Sequence, residues 1–507
     1  MPQAKPIKFF AFALFVGLFL LTRLPYLAFD EINPDGVNWH FRSEQFIVGL
    51  KTHDWAKTYQ HYHPGVTLMW IMGVPIELVK HLSPTYAVYN QYTFETFNYV
   101  AKFALVFVQL ILSFTMLHLL SRVLGLRKAY FATLLFTFEP FFVGNSRLLH
   151  MDVLLTQFLF IGLILAYLQL EKFNVVQGMF AGFFLALAFL TKSIGILGLL
   201  FALGVGGVVV FTKYKWKKTA IYIVSIAVSF ILTIFIVFPA MWVKPVWVIN
   251  EIFSEGERIG IRNGHGQVIL GEYTRNAGPA FYPLVLAMKA SPLLLLGLGL
   301  FVLTLKNNSH KRFILFLTLF YVGYLVLMSY PSKKIDRYMI PMYPFLAVLS
   351  VLGYFKIYDR LANIKQKTFF VSSKVVLVSA FIIYPLLKFY PYYFLYTSSV
   401  FGSSSEANKI LAQKPFGIGI HDLKQLIFTK YGAYPRVGFI DTKPMRTIYM
   451  NSRIFDIRVN GTSDYDLLVL GVNEDFPEKV DADKFTKDTS MYINGLEYWR
   501  IYVKKVD

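Results

Sequence analysis

The sequence predicts an all-α polytopic membrane protein with a small α/β domain in its C-terminal part. Three observations carry that class. Apolar residues make up 56% of the 507 residues and charged ones only 16%. The apolar residues gather into blocks near the ~20 residues needed to cross a bilayer. From about residue 395 the composition turns polar. A soluble chain of this length has no use for so much apolar surface. Without cysteine, disulfides, thiolate metal sites and a cysteine nucleophile are excluded. A formal charge of +20 raises the question of nucleic acid. The basic residues, however, sit in short runs between apolar blocks, which is how cytoplasmic loops look, so no nucleic-acid partner is expected.

The first block, about 9–29, follows Lys5 and Lys8 and ends on Arg23 and Pro25 without a small-residue cleavage site, so it reads as a retained span. Further blocks lie near 99–120, 129–143, 151–170, 175–191, 194–212, 219–242, 283–305, 313–329, 338–355 and 373–394, giving about eleven spans. Basic runs begin at Arg122, Lys213, Lys306 and Lys356 and fall on alternate connections. The positive-inside rule sets these loops and the N-terminus in the cytoplasm, and eleven spans then leave the C-terminal domain outside. The expected location is the cell membrane, multi-pass. Residues 1–394 form the membrane domain, with outer loops at 30–98 and 243–282, and 395–507 an extracytoplasmic α/β domain. Segment 64–80 is apolar but broken by Pro64, Gly73 and Pro75, and reads as a helix on the membrane surface. In the tail, helices are expected at 405–413 and 421–431, and strands at Phe416–Ile420, Val437–Ile440, Tyr465–Val472 and Trp499–Val503.

Charge is nearly absent from mid-span, and the unusual polar residues sit at the outer ends of spans. That predicts a site at the outer surface, whereas a transport pathway would more often place ionisable groups near the bilayer centre. Asp30, Glu31 and Asp35 lie beside apolar surface, where desolvation would raise a carboxyl pKa and make a usable base; a solvated acidic loop is the alternative. His61 and His63 have metal-ligand spacing for a strand, but Pro64-Gly65 follow and no third ligand is evident. Arg147, His150 and Asp152 share a tight outward turn. Arg147 and Asp152 either neutralise each other or grip a phosphate and orient a sugar hydroxyl. Lys192 faces outward against the positive-inside bias, which snorkelling also explains. Lys333, Lys334 and Arg337 crowd one short outward loop ahead of Tyr338, an arrangement suited to an anion. The long loop carries His265 between two glycines, then Tyr282, Lys289 and Pro292; its glycines suit a close approach to a ligand or plain flexibility. Acids on one outward loop and cations on three others, above an apolar floor, fit an anionic lipid with a polar head, such as a polyprenyl-phosphate-linked sugar.

Five elements in order resemble the outward-acting glycosyltransferases that use polyprenyl-phosphate sugars. The pattern is similar to the dolichyl-phosphate-mannose protein mannosyltransferases and to the enzymes that add aminoarabinose to lipid A. The elements are an acidic motif after the first span, His63-Pro64-Gly65, Arg147 with Asp152, Thr191-Lys192, and Lys334 with Arg337-Tyr338 and Pro341. They span about residues 8–350. The resemblance implies a C-type glycosyltransferase-like fold. The family's first motif is Asp-Glu with the aspartate as base. Asp30-Glu31 has that dipeptide, but a surface helix ending in a glycine followed by Asp-Trp is also expected, and counting back from Gly49 and Asp54-Trp55 leads to Asp35, which Gly36 follows. Asp35 is the preferred base, with Asp30 and Glu31 as alternatives. Val37–Phe46 reads as a helix, and its N-terminus favours a carboxylate.

What the resemblance implies is an inverting transfer. Asp35 takes the acceptor proton and Asp152 orients acceptor or sugar. Arg147, Lys192, Lys334 and Arg337 hold the departing polyprenyl phosphate, and Lys333 also binds substrate. His63, His150, His265, Tyr282 and Tyr338 contribute to substrate binding. Expected partners are the polyprenyl-phosphate sugar donor, a protein, lipid or glycan acceptor, and membrane lipids. No cofactor is required where side-chain cations take a metal's part, and a divalent cation is left open. The rival reading is a lipid-linked glycan transporter or flippase, and a membrane receptor using its tail as a binding module is a third.

Overall fold

The computed structural model describes residues 4–262, 266–305, 310–361, 383–462 and 464–505. Its first eight helices are α1 (Ala4–Arg23), α2 (Pro34–Lys51), α3 (Val66–Leu82), α4 (Phe94–Leu124), α5 (Leu126–Thr137), α6 (Pro140–Arg147), α7 (Asp152–Glu171) and α8 (Val175–Thr191). Five helices among the described residues are long and apolar enough to cross a membrane: α4, α7, Ser193–Val237, Lys311–Ser329 and Asp336–Arg360. A sixth span results if Phe281–Lys289 and Pro292–Leu303, which meet at 114°, are one broken helix. Helices occupy ten of the eleven predicted blocks. The count differs because several of them are short or interrupted, and because Ser193–Val237 runs through two predicted blocks, bending at Lys215 (φ +63°) within the basic run. The eleventh block, 373–394, lies partly outside the described residues.

α7 is apolar on every face, and such a helix is stable only inside a bundle. Its apolar stretch is buried along its whole length, against α4 and α8 among others. It thereby carries Asp152, its first residue, to the mouth of the bundle. α2 starts where the sequence allows a helix to start. Asn33 caps it, accepting from the Gly36 N–H at 2.6 Å, Pro34 takes the first position and Asp35 lies in the first turn. The predicted 64–80 helix is α3, which packs against α2 and α4 through buried residues including Met69 and Met72.

The C-terminal part forms a five-stranded sheet of β3 (Val437–Phe439), β4 (Ile454–Asp456), β5 (Leu467–Gly471), β6 (Phe485–Ile493) and β7 (Leu496–Lys504), in the order β4-β3-β5-β7-β6. β3 is parallel to β4 and β5, and β7 is antiparallel to β5 and β6. An earlier hairpin, β1 (Gln267–Ile269) with β2 (Glu272–Thr274), belongs to the long loop at 243–282. Ser404–Ile410 and Ile420–Tyr431 are helical, close to expectation. Phe416–Ile420 is not a strand. Phe416, Gly417 and Gly419 all have positive φ, and the segment closes into a turn. That turn clips onto the segment after α1: the Ile32 N–H donates to the Gly417 carbonyl at 3.1 Å and the Gly419 N–H to the Asp30 carbonyl at 2.9 Å. β6 went unpredicted although Asn494-Gly495 between β6 and β7 is a two-residue hairpin signal.

Candidate active site

A cavity of about 740 Å³ lies between one end of the bundle and the C-terminal sheet domain. Asp35 and Arg42, seven residues apart on one face of α2, reach it from one side. Lys192 enters from the turn that ends α8, and Arg337 from a 3₁₀ turn at Asp336–Met342. Phe416 and Lys414 close it from the C-terminal part.

Two carboxylates organise the charges. Arg337 Nη2 donates to Asp35 Oδ2 at 2.6 Å, while its Nε stands 3.3 Å from Asp152 Oδ2. Lys192 Nζ donates to Asp152 Oδ1 at 2.7 Å. His150 lies between the acids, Nε2 3.5 Å from Asp35 and Nδ1 2.8 Å from Asp152. The Lys192 ammonium also sits 3.9 Å from the centre of the Tyr338 ring. Asp152, Lys192 and Arg337 are buried, whereas Asp35 is 40% exposed at its side chain, so of the two acids it is the one within reach of a ligand. The Arg337 guanidinium rests 4.9 Å from the centre of the Phe416 ring, so the C-terminal part supports it directly.

Burial pushes the Asp35 carboxyl up, but the His150 hydrogen bond and the Arg337 charge outweigh it and hold the group well below the usual carboxylate range. The expectation that desolvation leaves a stronger base is therefore not met in this state. His63 lies well below the usual histidine range, from burial first and then Lys192, and is neutral near pH 7. Its Nδ1 lies 3.2 Å from Ser193 Oγ. Burial also lowers Lys333, which Asp35 partly offsets. Among the described residues no group of three or more histidine and carboxylate side chains could hold a metal ion.

Asp35, His63, His150, Lys192, Lys333, Arg337 and Tyr338 line the cavity together, with Asp152 directly behind them. Arg147, Asp30 and Glu31 do not join them. Arg147 is buried, donating to Asp30 Oδ2 at 2.7 Å and to the Thr22, Arg23 and Pro25 carbonyls, so four of its five N–H groups are engaged away from the cavity. Glu31 pairs with buried Lys102 and accepts from Asn33 at 2.9 Å. These three residues form a structural ion cluster, which removes Asp30 and Glu31 from contact with the cavity and separates Arg147 from Asp152. Lys334 donates to the Pro331 carbonyl at 2.6 Å, and neither it nor buried Tyr282 lines the cavity. His265 lies outside the described residues. Arg42, Lys289, Lys414 and the C-terminal wall were not foreseen. Helical spacing from Asp35 would have found Arg42; nothing in the sequence marks the wall.

Residues 90–241 match the family described as dolichyl-phosphate-mannose-protein mannosyltransferase. No curated protein matches the sequence. ArnT from Cupriavidus metallidurans bound to undecaprenyl phosphate shares the fold with a TM-score of 0.51 at 15% identity, over 97% of each chain. Its apo form gives 0.49 at 15% identity, over 90% of this chain and 92% of that one. The apo oligosaccharyltransferase of Archaeoglobus fulgidus gives 0.49 at 10% identity, over 92% of this chain and 69% of that one. The chain thus resembles that mannosyltransferase family over residues 90–241 and shares its fold with ArnT.

Proposed function

We propose that the protein transfers a sugar, mannose or a similar hexose or pentose, from a polyprenyl phosphate to an acceptor hydroxyl at the outer face of the cell membrane, with inversion. The acceptor is a protein, a lipid or a glycan. In this reading the N-terminus is cytoplasmic and the domain from residue 395 extracytoplasmic. The observation that carries it is the pairing of Asp35, the more exposed of the two acids around Arg337, with that guanidinium.

The acceptor oxygen attacks the anomeric carbon, its proton passes to Asp35, and the bond from that carbon to the phosphate oxygen breaks. The leaving polyprenyl phosphate gains a negative charge, which Arg337, Lys192 and Lys333 stabilise. Asp152 keeps Lys192 and Arg337 aimed. In the resting site Arg337 weakens Asp35 as a base. A donor phosphate that draws the guanidinium toward itself releases the carboxylate, so that the base gains strength when the leaving group is in place. A positioned base is worth roughly 100- to 10,000-fold.

Purified protein incubated with radiolabelled polyprenyl-phosphate sugar and candidate acceptors tests the reading. Label transferred to acceptor with inverted configuration supports it. Movement of intact lipid-linked sugar across a vesicle membrane without transfer would favour the flippase instead.

A further inference from the structure

The described residues hold several buried cations, and nearly all are committed. Arg147 has Asp30, Lys102 has Glu31, Lys192 has Asp152, Arg337 has Asp35, and Lys334 donates to a carbonyl. Lys289 differs. It is 4% exposed and lines the cavity, yet makes no ion pair or hydrogen bond with any described residue. Its contact is with the Phe141 ring, whose centre lies 5.0 Å from Nζ. It stands at the elbow where Phe281–Lys289 turns through 114° into Pro292–Leu303. The buried carboxylate of that elbow, Glu139, is engaged elsewhere, accepting from the Ser291 backbone N–H and from Ser291 Oγ at 2.8 Å. Asp336 acts on Lys289 at a distance without forming an ion pair.

Burying an ammonium without a counter-charge costs free energy that a leucine or methionine in the same place would not. Nor does Nζ hydrogen-bond the carbonyls that close its own helix, the usual service of a C-terminal lysine. Lys414, from the C-terminal part, lines the same cavity and donates to the Gly266 carbonyl at 2.7 Å.

We propose that Lys289 anchors a second oxyanion subsite in this cavity, apart from the Asp35–Arg337–Asp152–Lys192 cluster, and that it takes a phosphate group. A compact ammonium with three rotatable donors suits phosphate oxygens as a point charge. With the donor phosphate on Arg337 and Lys192, this phosphate belongs to the second ligand, so the cavity admits acceptors that carry a phosphate near the reacting hydroxyl. The acceptor assignment rests on the transferase reading; the anion site does not.

The test measures binding without turnover, so its failure leaves the transferase reading standing. Wild type and Lys289→Met are titrated with inorganic phosphate and, separately, with polyprenyl phosphate in detergent, following the melting temperature. Lys289→Met is expected to melt no lower than wild type, since it removes an unpaired charge. It should bind inorganic phosphate at least tenfold more weakly and polyprenyl phosphate within threefold of wild type. Lys289→Arg, which keeps the charge, should retain the phosphate response, and it carries the test should Lys289→Met fail to fold, a lost response then counting against the site. Equal phosphate affinity in Lys289→Met and wild type overturns the site. An equal loss for both ligands assigns Lys289 to the donor phosphate and overturns its separateness.

Discussion

Asp35 and Arg337 are 302 positions apart in the chain and 2.6 Å apart in the fold. The hydrogen bond couples the acid in the first turn of α2 to a 3₁₀ turn ahead of the last fully described span. Because Arg337 also approaches Asp152, a ligand that moves one guanidinium changes the surroundings of both carboxylates at once.

Asp35→Asn should therefore lower transfer by at least about 100-fold while leaving the fold intact, since the residue is partly exposed and its partner Arg337 keeps Asp152. Asp30→Asn should behave the opposite way. It leaves the Arg147 charge buried without its carboxylate, at about 3–5 kcal/mol of stability, with turnover per folded molecule retained. Single-turnover rates and melting curves on both variants check this, and the reverse pattern would move the base to Asp30.

Arg337→Ala should weaken binding of polyprenyl phosphate about tenfold or more, read by titration. Unchanged affinity would move the phosphate site elsewhere. The same substitution removes a charge that holds the Asp35 carboxyl down. A carboxyl so depressed stays ionised across neutral and mildly acid pH and supplies base throughout. When the depression is relieved, protonation begins at higher pH, so the acid limb of the pH–rate profile should shift upward in the variant.

Much of this site was legible because its residues interrupt apolar runs at the outer ends of spans, where a charge needs a purpose. Asp35, Lys192 and Arg337 stood out in that way, and counting back from Gly49 and Asp54-Trp55 separated Asp35 from Asp30. Arg147 satisfied the same criterion and misled. Its partner Asp30 is 117 positions away, and no local pattern reveals such a pair. Lys333 and Lys334 are adjacent in an irregular loop, where periodicity says nothing about which side chain faces the cavity. The turn at Phe416–Gly419 looked like a strand because its apolar composition hid a requirement for positive φ.

That requirement gives a further test. A Cβ on Gly417 would lie 1.9 Å from the Ile32 carbonyl oxygen, at φ +69°. Gly417→Ala should cost more than about 2 kcal/mol and loosen the first outer loop, lowering turnover along with stability. Phe416→Leu, which spares the backbone, should keep the fold and raise KM more than it lowers kcat, because only the ring beneath Arg337 is lost.

Stability should also fall on the acid side through His40. The side chain is buried between Tyr89 and Asn98, and burial pushes it down to about 4. An unfolded histidine titrates near ~6.5, so below that pH the unfolded chain binds the extra proton. The contribution is complete above pH ~6.5 and declines as pH falls toward about 4, by about 3 kcal/mol in all. Denaturation midpoints of wild type and His40→Gln between pH 7.5 and 4.5 measure it, the variant showing the shallower slope.

The backbone clip between residues 30–32 and 417–419 also bears on biogenesis. During synthesis residues 30–32 are made well before the turn at 417–419 that secures them. Between those moments Asp30 and Ile32 lack the backbone partners they keep in the finished protein. Under the proposed function, catalytic competence then waits for residues 417–419, and a product terminated before them would be inserted yet idle.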